Sequence, residues 1–229
     1  MAADSDRFEN VEQYRVVSDQ GIVGADHQLA SEAGAQILAQ GGNAADAGVT
    51  ALLAIGVVNP FGSGLGGGGF CLYREADGDT TEVIDFRETA PTDAHRDLYA
   101  VDGEVDHSLA RHGGLAVATP GEAAGIWSLH GRFGQLQWED VVDPAVTLAA
   151  EGFPVGATLA SHLQTLADTL EDWPELATIF EKEDGEFVEE GDLLRRDDRR
   201  HWETEHGRGN TSWSGAIPMV CRRSIGHRP

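Results

Sequence analysis

The stretch of residues 61–69 reads FGSGLGGGG, so that six of nine residues lack a Cβ. Such a stretch favours a tightly turning loop whose backbone packs close against neighbouring segments. Gly62, Gly64 and Gly67 also satisfy the G-x-G-x-x-G spacing of dinucleotide sites. That site needs a strand before the loop and a helix after it, whereas here the helical pattern comes first. We therefore interpret the loop as scaffold rather than as a nucleotide site.

Two helices are predicted before this loop. The first covers residues 27–40, where apolar residues recur at helical spacing, with Asp26 as its cap and the glycines at 41–42 as its stop. The second begins near Asn43 and ends before Pro60. Because small residues occur almost throughout the second helix, we expect it to pack closely against its neighbours.

The remainder of the pattern mixes strands and helices. Residues 70–73 and 80–86 predict a hairpin about a turn at 77–79, and residues 21–25 and 114–119 predict two further strands. Helices are predicted over residues 120–132, 138–151, 159–170 and 174–180. The strands and helices do not alternate as in a doubly wound sheet, which favours a layered α+β fold.

Charge divides the chain unevenly. The whole sequence has 39 Asp and Glu against 16 Lys and Arg, a net charge of -23. Residues 1–194 hold 35 acidic and eight basic residues, whereas residues 195–229 hold four acidic residues and eight arginines. A surface this acidic excludes nucleic acid and anionic membranes as partners, because both need a basic footprint. It suits a protein held soluble in concentrated salt, where repulsion is screened.

Three regions are predicted from these patterns. Residues 1–19 form a polar leader without the basic start or apolar stretch of a signal peptide, and we expect a cytoplasmic protein, in a high-salt cytoplasm. Residues 20–194 form the folded region. Residues 195–229 form an aberrant basic tail, as expected from a frameshift or truncation. Two cysteines are too few for a disulfide framework, and no cofactor site is indicated.

Few side chains form a pattern typical of a binding, metal or catalytic site. The residues Asp85-Phe86-Arg87-Glu88 end the second hairpin strand, where Arg87 would either bind a substrate carboxylate or join a structural ion pair. His107 and His112 lack a third ligand at suitable spacing, so no metal site is predicted. No serine or cysteine shows the surroundings of a nucleophile.

Six stretches follow one another in a recognisable order: residues 26–34 (DHQLASEAG), 41–47 (GGNAADA), 64–70 (GLGGGGF), 85–91 (DFRETAP), 119–122 (TPGE) and 151–155 (EGFPV). The same order is seen in gamma-glutamyltransferases, also called gamma-glutamyltranspeptidases or glutathione hydrolases, and the chain resembles the N-terminal, large-subunit part of that family. The resemblance covers about residues 20–193. It implies an αββα sandwich of the N-terminal-nucleophile hydrolase type, here incomplete, with only the large-subunit portion present.

The resemblance also implies an activity and its partners. Family proenzymes cut themselves into a large and a small subunit, and a threonine freed at the new N-terminus attacks the donor amide with its own amino group as base. A gamma-glutamyl donor such as glutathione would pass its glutamyl group to water, an amino acid or a peptide. Arg87 matches the family arginine that binds the donor α-carboxylate, whereas the glycine loop and residues 41–43 match scaffold.

The chain departs from the family at the nucleophile. The Thr-Thr-His start of the small subunit has no match, since Thr80 and Thr81 are followed by Glu82 inside the hairpin. We therefore expect no catalytic residue in this chain and a fragment inactive alone, its small subunit missing. The alternatives are the large-subunit fragment of a related acylase, or an inactive relic or partner subunit.

Overall fold

The computed structural model describes residues 15–196, apart from residues 77, 79, 80, 172 and 183. The helices described there are α1 (Gln28–Ala39), α2 (Ala44–Val58), α3 (Glu122–Phe133), α4 (Trp138–Glu151), α5 (Ala157–Glu171) and α6 (Pro174–Ala177). The strands pair antiparallel: β1 (Phe70–Arg74) with β2 (Thr81–Asp85), β3 (Ala100–Val101) with β4 (Glu104–Val105), and β5 (Phe153–Pro154) with β6 (Leu193–Leu194).

Helix α2 forms the centre of the first core. Ten of its 15 residues are buried, as expected for a helix enclosed on nearly all sides. Helix α1 crosses it closely at Gly34, where a Cβ would lie 2.9 Å from the carbonyl oxygen of Ala47. Helix α4 is joined to it by Thr50, whose hydroxyl donates to the carbonyl of Val141 at 2.7 Å. The close packing predicted from its small residues is confirmed.

The start of α2 is fixed by a reciprocal cap. The Asn43 side chain accepts from the backbone N–H groups of Ala45 and Asp46, and the Asp46 carboxylate accepts from the N–H of Asn43. Asp46 is fully buried and also accepts the N–H groups of Gln135 and Leu136, which lie between α3 and α4. One carboxylate therefore joins the N-terminus of α2 to the α3–α4 connection.

The hairpin β1–β2 has two different faces. Cys71 and Tyr73 pack with Ile84 against the helices of the first core. The opposite face carries Phe70, Leu72 and Val83, which are 61%, 72% and 62% exposed. Helices thus cover the sheet on one side only within the described residues.

A second core lies among α5, α6 and the β5–β6 pair. Its largest buried side chains include Phe153, Leu163 and Phe180. Phe61, at the start of the glycine loop, stacks on Phe180 with ring centroids 5.6 Å apart and meets the edge of His162 at the same distance. The glycine loop is thereby held at its beginning by the second core and at its end by β1.

Two predicted strands are wrong. Residues 21–25 are extended but pair with no strand among the described residues, and Ile22 is 58% exposed. Residues 114–119 instead begin with a 3-10 helix, Gly114–Ala116, because the chain reverses at Gly113 with a φ of 81°. A single bridge from Thr119 to Thr89 is what remains of that strand.

Several helix ends differ from prediction by one to three residues. The cap of α1 is His27 rather than Asp26, because the imidazole Nδ1 accepts the N–H of Leu29 at 3.2 Å. Helix α6 ends at Ala177, three residues earlier than predicted. Most of the predicted basic tail, residues 197–229, and the leader residues 1–14 lie outside the described residues. In the part that is described, no helix is long and apolar enough to cross a membrane.

We expect Asp46→Ala to lower the free energy of unfolding by about 3 kcal/mol, because it removes a fully buried carboxylate and leaves three backbone N–H groups without their acceptor. Denaturant titration followed by circular dichroism measures the change. Asp143→Ala, at an exposed position of α4, is the matched control and should stay within about 0.5 kcal/mol of the parent. Equal losses for the two variants would contradict a special role for Asp46.

Candidate functional site

A cleft of about 350 Å³ lies where the glycine loop, the end of β2 and the start of α3 meet. Uncharged residues of the loop between Pro60 and Gly68 form one wall. The other wall carries three charged side chains: Arg87, Glu88 and Glu122. The cleft is therefore the place in the described structure where the sequence-predicted Arg87 and the glycine loop come together.

The walls of the cleft are held together by backbone contacts. The carbonyl of Gly67 accepts the N–H groups of Gly121 and Glu122 at 2.9 and 3.0 Å. A Cβ at Gly68 would lie 2.8 Å from the nitrogen of Glu88 and still closer to the carbonyl of Phe86, and a Cβ at Gly121 would strike the same carbonyl. Only residues without a side chain allow the loop, β2 and α3 to approach this closely.

Arg87 leaves the sheet just past the last residue of β2. Its backbone N–H donates to the carboxylate of Asp85 at 3.0 Å, a local turn that ends the strand. Its guanidinium carbon lies 6.0 Å from the ring centroid of Phe70. With 56% of its side chain exposed, Arg87 lines the cleft and remains accessible to a ligand.

Glu88 is the ion-pair partner of Arg87. Nε of Arg87 lies 3.2 Å from Oε2 of Glu88, close enough for attraction but not aligned as a hydrogen bond, so that Oε2 is buried without a hydrogen-bond partner. Of the pairing among Asp85, Arg87 and Glu88 that the sequence suggested, the structure forms the Arg87–Glu88 contact. The Asp85 side chain bonds to the backbone instead.

Glu122 is the first residue of α3 and is only 4% exposed. Burial raises the pKa of its carboxyl to about 7, with the nearby charge of Glu88 acting in the same direction and a backbone hydrogen bond from Gly64 opposing it. Its Oε1 is buried with no hydrogen-bond partner. A carboxyl that titrates near neutrality thus lines the same cleft as an arginine.

Sequence reasoning missed Glu122. An acidic residue in the first turn of a helix is ordinarily a solvated partner of the helix dipole, and the TPGE stretch shows nothing more. The signal lay in the glycines around it, because Gly67 and Gly121 bring the loop backbone over the start of α3 and shield the carboxyl from water.

The glycine spacing and the two histidines considered in the sequence do not form a nucleotide or metal site in the described residues. A helix precedes the glycine loop and a strand follows it, as predicted. The backbone N–H groups at the start of α3 donate to the carbonyl of Gly67. His107 and His112 are exposed in the connection between the hairpin and α3. Across residues 15–196, leaving aside the gaps, no group of three or more His, Cys, Asp or Glu side chains could hold a metal ion.

The fold is shared with a solved enzyme structure. The crystal structure of Helicobacter pylori gamma-glutamyltranspeptidase superposes with a TM-score of 0.77 at 32% identity, over 80% of this chain and 53% of that chain. The described residues thus have the α+β architecture of the N-terminal-nucleophile hydrolase class, as predicted from the sequence.

Sequence comparison identifies the family within that class. The gamma-glutamyltranspeptidase family model matches residues 30–199. The glutathione hydrolase proenzyme of Escherichia coli (strain K12) is 40% identical over 181 residues, 78% of this chain and 31% of that protein. Glutathione hydrolase 3 of Arabidopsis thaliana is 37% identical over 177 residues, 77% of this chain and 27% of that protein. The chain belongs to the gamma-glutamyltranspeptidase family and spans less than a third of the length of these two relatives.

We expect Gly68→Ala to lower the free energy of unfolding by about 2 kcal/mol or more, because the added Cβ meets backbone atoms of Phe86 and Glu88 that cannot rotate away. Gly66→Ala, two residues away in the same loop, has nothing within 4 Å and should change stability by less than about 0.5 kcal/mol. Denaturant titration compares the two variants. Comparable effects would show that the close approach is not required.

Proposed function

We propose that this chain supplies the large-subunit part of an enzyme that transfers or hydrolyses the gamma-glutamyl group of glutathione-like donors. Membership of the family supports the reaction class. The observation that carries the proposal is the position of Arg87, which lines the cleft from the end of β2 with more than half of its side chain exposed.

The role proposed for Arg87 is to bind the α-carboxylate of the donor. A guanidinium offers paired N–H donors in a planar fork that matches a carboxylate. The contact with Glu88 is made through Nε, which lies outside the end edge formed by the two terminal nitrogens. The terminal nitrogens can therefore face a ligand while Glu88 holds the other edge.

The nucleophile is proposed to come from the small-subunit part of the same proenzyme. The Thr-Thr-His start that the family resemblance implies has no match in the 229 residues. The threonine hydroxyl would attack the gamma-carbonyl, its proton passing through the threonine amine to the leaving amine, and an ester would form. Water or an amino acid or peptide amine would then cleave the ester, releasing glutamate or a new gamma-glutamyl amide.

We expect Arg87→Lys to raise the KM for gamma-glutamyl-p-nitroanilide about ten-fold or more, because lysine keeps the charge but loses the fork. The assay uses a chimera in which residues 30–196 replace the matching segment of the Escherichia coli relative. Self-cleavage into two subunits, followed on a gel, reports that the variant folds.

Arg74→Lys is the matched control, since Arg74 lies on the exposed face of the same hairpin and contacts the carbonyl of Gly78. Its KM should match that of the parent chimera. The KM for butyryl-p-nitroanilide, which lacks the carboxylate, should not change with Arg87→Lys. An unchanged KM for the gamma-glutamyl donor would remove Arg87 from the site.

We further expect that the 229-residue chain alone neither cleaves itself nor releases p-nitroaniline from gamma-glutamyl-p-nitroanilide. Nucleophilic catalysis needs a positioned hydroxyl with an adjacent base, and no residue here matches the family threonine. The purified chain is assayed alone and after refolding with a family small subunit. Turnover by the chain alone that Thr211→Ala abolishes would refute the expectation.

A further inference from the structure

Glu122 is set into the cleft in a way that the proposed carboxylate site does not explain. Its carboxyl is 4% exposed, accepts a hydrogen bond from the N–H of Gly64, and keeps a second oxygen, Oε1, buried without a partner. An unpartnered buried acceptor destabilises the fold, so the position of this carboxyl requires an explanation beyond packing.

Glu88 and Glu122 both lie beside Gly67. A Cβ built at Gly67 would be 3.5 Å from Oε1 of Glu88 and 3.8 Å from Oε2 of Glu122. The two carboxyls are therefore close to one another beside this glycine, and Oε2 of Glu88 lies 3.2 Å from Nε of Arg87. Glu122, Glu88 and Arg87 form a continuous series of charged groups from the start of α3 to the cleft.

We propose that Glu122 is a positioning residue that acts through Glu88 on Arg87, and that the cleft accepts a carboxylate ligand when Glu122 holds a proton. The charged groups that line the cleft are Arg87, Glu88 and Glu122, and its remaining lining residues carry no charge. With Glu122 neutral, Arg87 and Glu88 balance. With Glu122 ionised, the cleft has a net charge of -1.

The direction of the pH effect follows from these charges. The carboxyl of Glu122 has its pKa raised to about 7, chiefly by burial, so it is protonated below that pH and ionised above it. Carboxylate binding should therefore weaken as pH rises through 7, because the added negative charge repels both the ligand and the neighbouring carboxylate of Glu88. The link to a carboxylate ligand rests on the function proposed above, whereas the coupling between Glu122 and Arg87 does not.

The coupling can be measured without ligand or activity. In the isotopically labelled chain, the Nε–Hε resonance of Arg87 is followed by NMR from pH 5.5 to 8.5 at one salt concentration, after assignment with Arg87→Lys. We expect its chemical shift to change with a midpoint near pH 7, in step with the side-chain carboxyl carbon of Glu122.

Three variants decide the assignment. Glu122→Gln, which keeps the shape but cannot ionise, should abolish the change at Arg87. Glu88→Gln should also abolish it, since the effect passes through Glu88, and should lower the midpoint of Glu122 by removing a like charge. Glu139→Gln, at an exposed position in the first turn of α4, should leave the titration unaltered. A change at Arg87 that persists in Glu122→Gln, or no carboxyl carbon titrating near pH 7, would overturn the proposal.

Ligand binding separates this proposal from the proposed function. L-glutamine, which has one carboxylate and a gamma-amide, is titrated at pH 6 and pH 8.5, with 4-aminobutanamide as the probe without a carboxylate. We expect the dissociation constant of L-glutamine to be about five-fold larger at pH 8.5, and to be independent of pH in Glu122→Gln. Binding with equal pH dependence in Glu122→Gln would overturn the proposal. If Arg87 titrates with Glu122 yet L-glutamine does not bind, the coupling stands and the carboxylate site fails.

Discussion

The described structure depends on a steric constraint at Gly68 and Gly121. At these two positions the glycine loop and the start of α3 touch the backbone of Phe86 and Glu88 directly, with no room for a Cβ. Three segments far apart in sequence are thereby fixed at one point. The cleft, the direction in which Arg87 leaves β2 and the burial of Glu122 all follow from that contact. A wider separation would admit water to Glu122 and loosen the wall that carries Arg87.

The two buried carboxylates, Asp46 and Glu122, differ in the number of hydrogen bonds that they accept. Asp46 receives N–H donors from Asn43, Gln135 and Leu136, so its charge is distributed over hydrogen bonds that hold three helices together. Glu122 receives one backbone bond and leaves an oxygen unpartnered. The pKa of the Glu122 carboxyl is higher in the folded state than in the unfolded state. The folded state is therefore favoured while this carboxyl is protonated, and that advantage is lost as pH rises through about 7. At higher pH the ionised, buried carboxyl costs about 3 kcal/mol.

The parts of the fold that could be predicted are those with a local cause. Helix α2 is delimited by Asn43 and Pro60, and the hairpin by alternating residues about a turn, so both were predicted correctly. The strand predicted at 114–119 was wrong because Gly113 turns the chain with a positive φ, and β3–β4 was missed although Asp102-Gly103 is a common hairpin turn. Family resemblance placed Arg87, but the environment of Glu122 depends on tertiary contacts that no local pattern contains. The domain boundary at 194 and the role of Arg87 stay predictions.

The uncovered face of the β1–β2 hairpin affects how strongly molecules of this protein associate with one another. Phe70, Leu72 and Val83 present an apolar surface beside strand edges, a combination that promotes stacking of one molecule on another. The net charge of -23 opposes such stacking, since every copy repels the next. Whether molecules associate therefore depends on the balance between attraction of these apolar faces and repulsion between negatively charged molecules. A pH near the isoelectric point should favour self-association through this face, whereas a partner seated on the hairpin would cover the apolar surface.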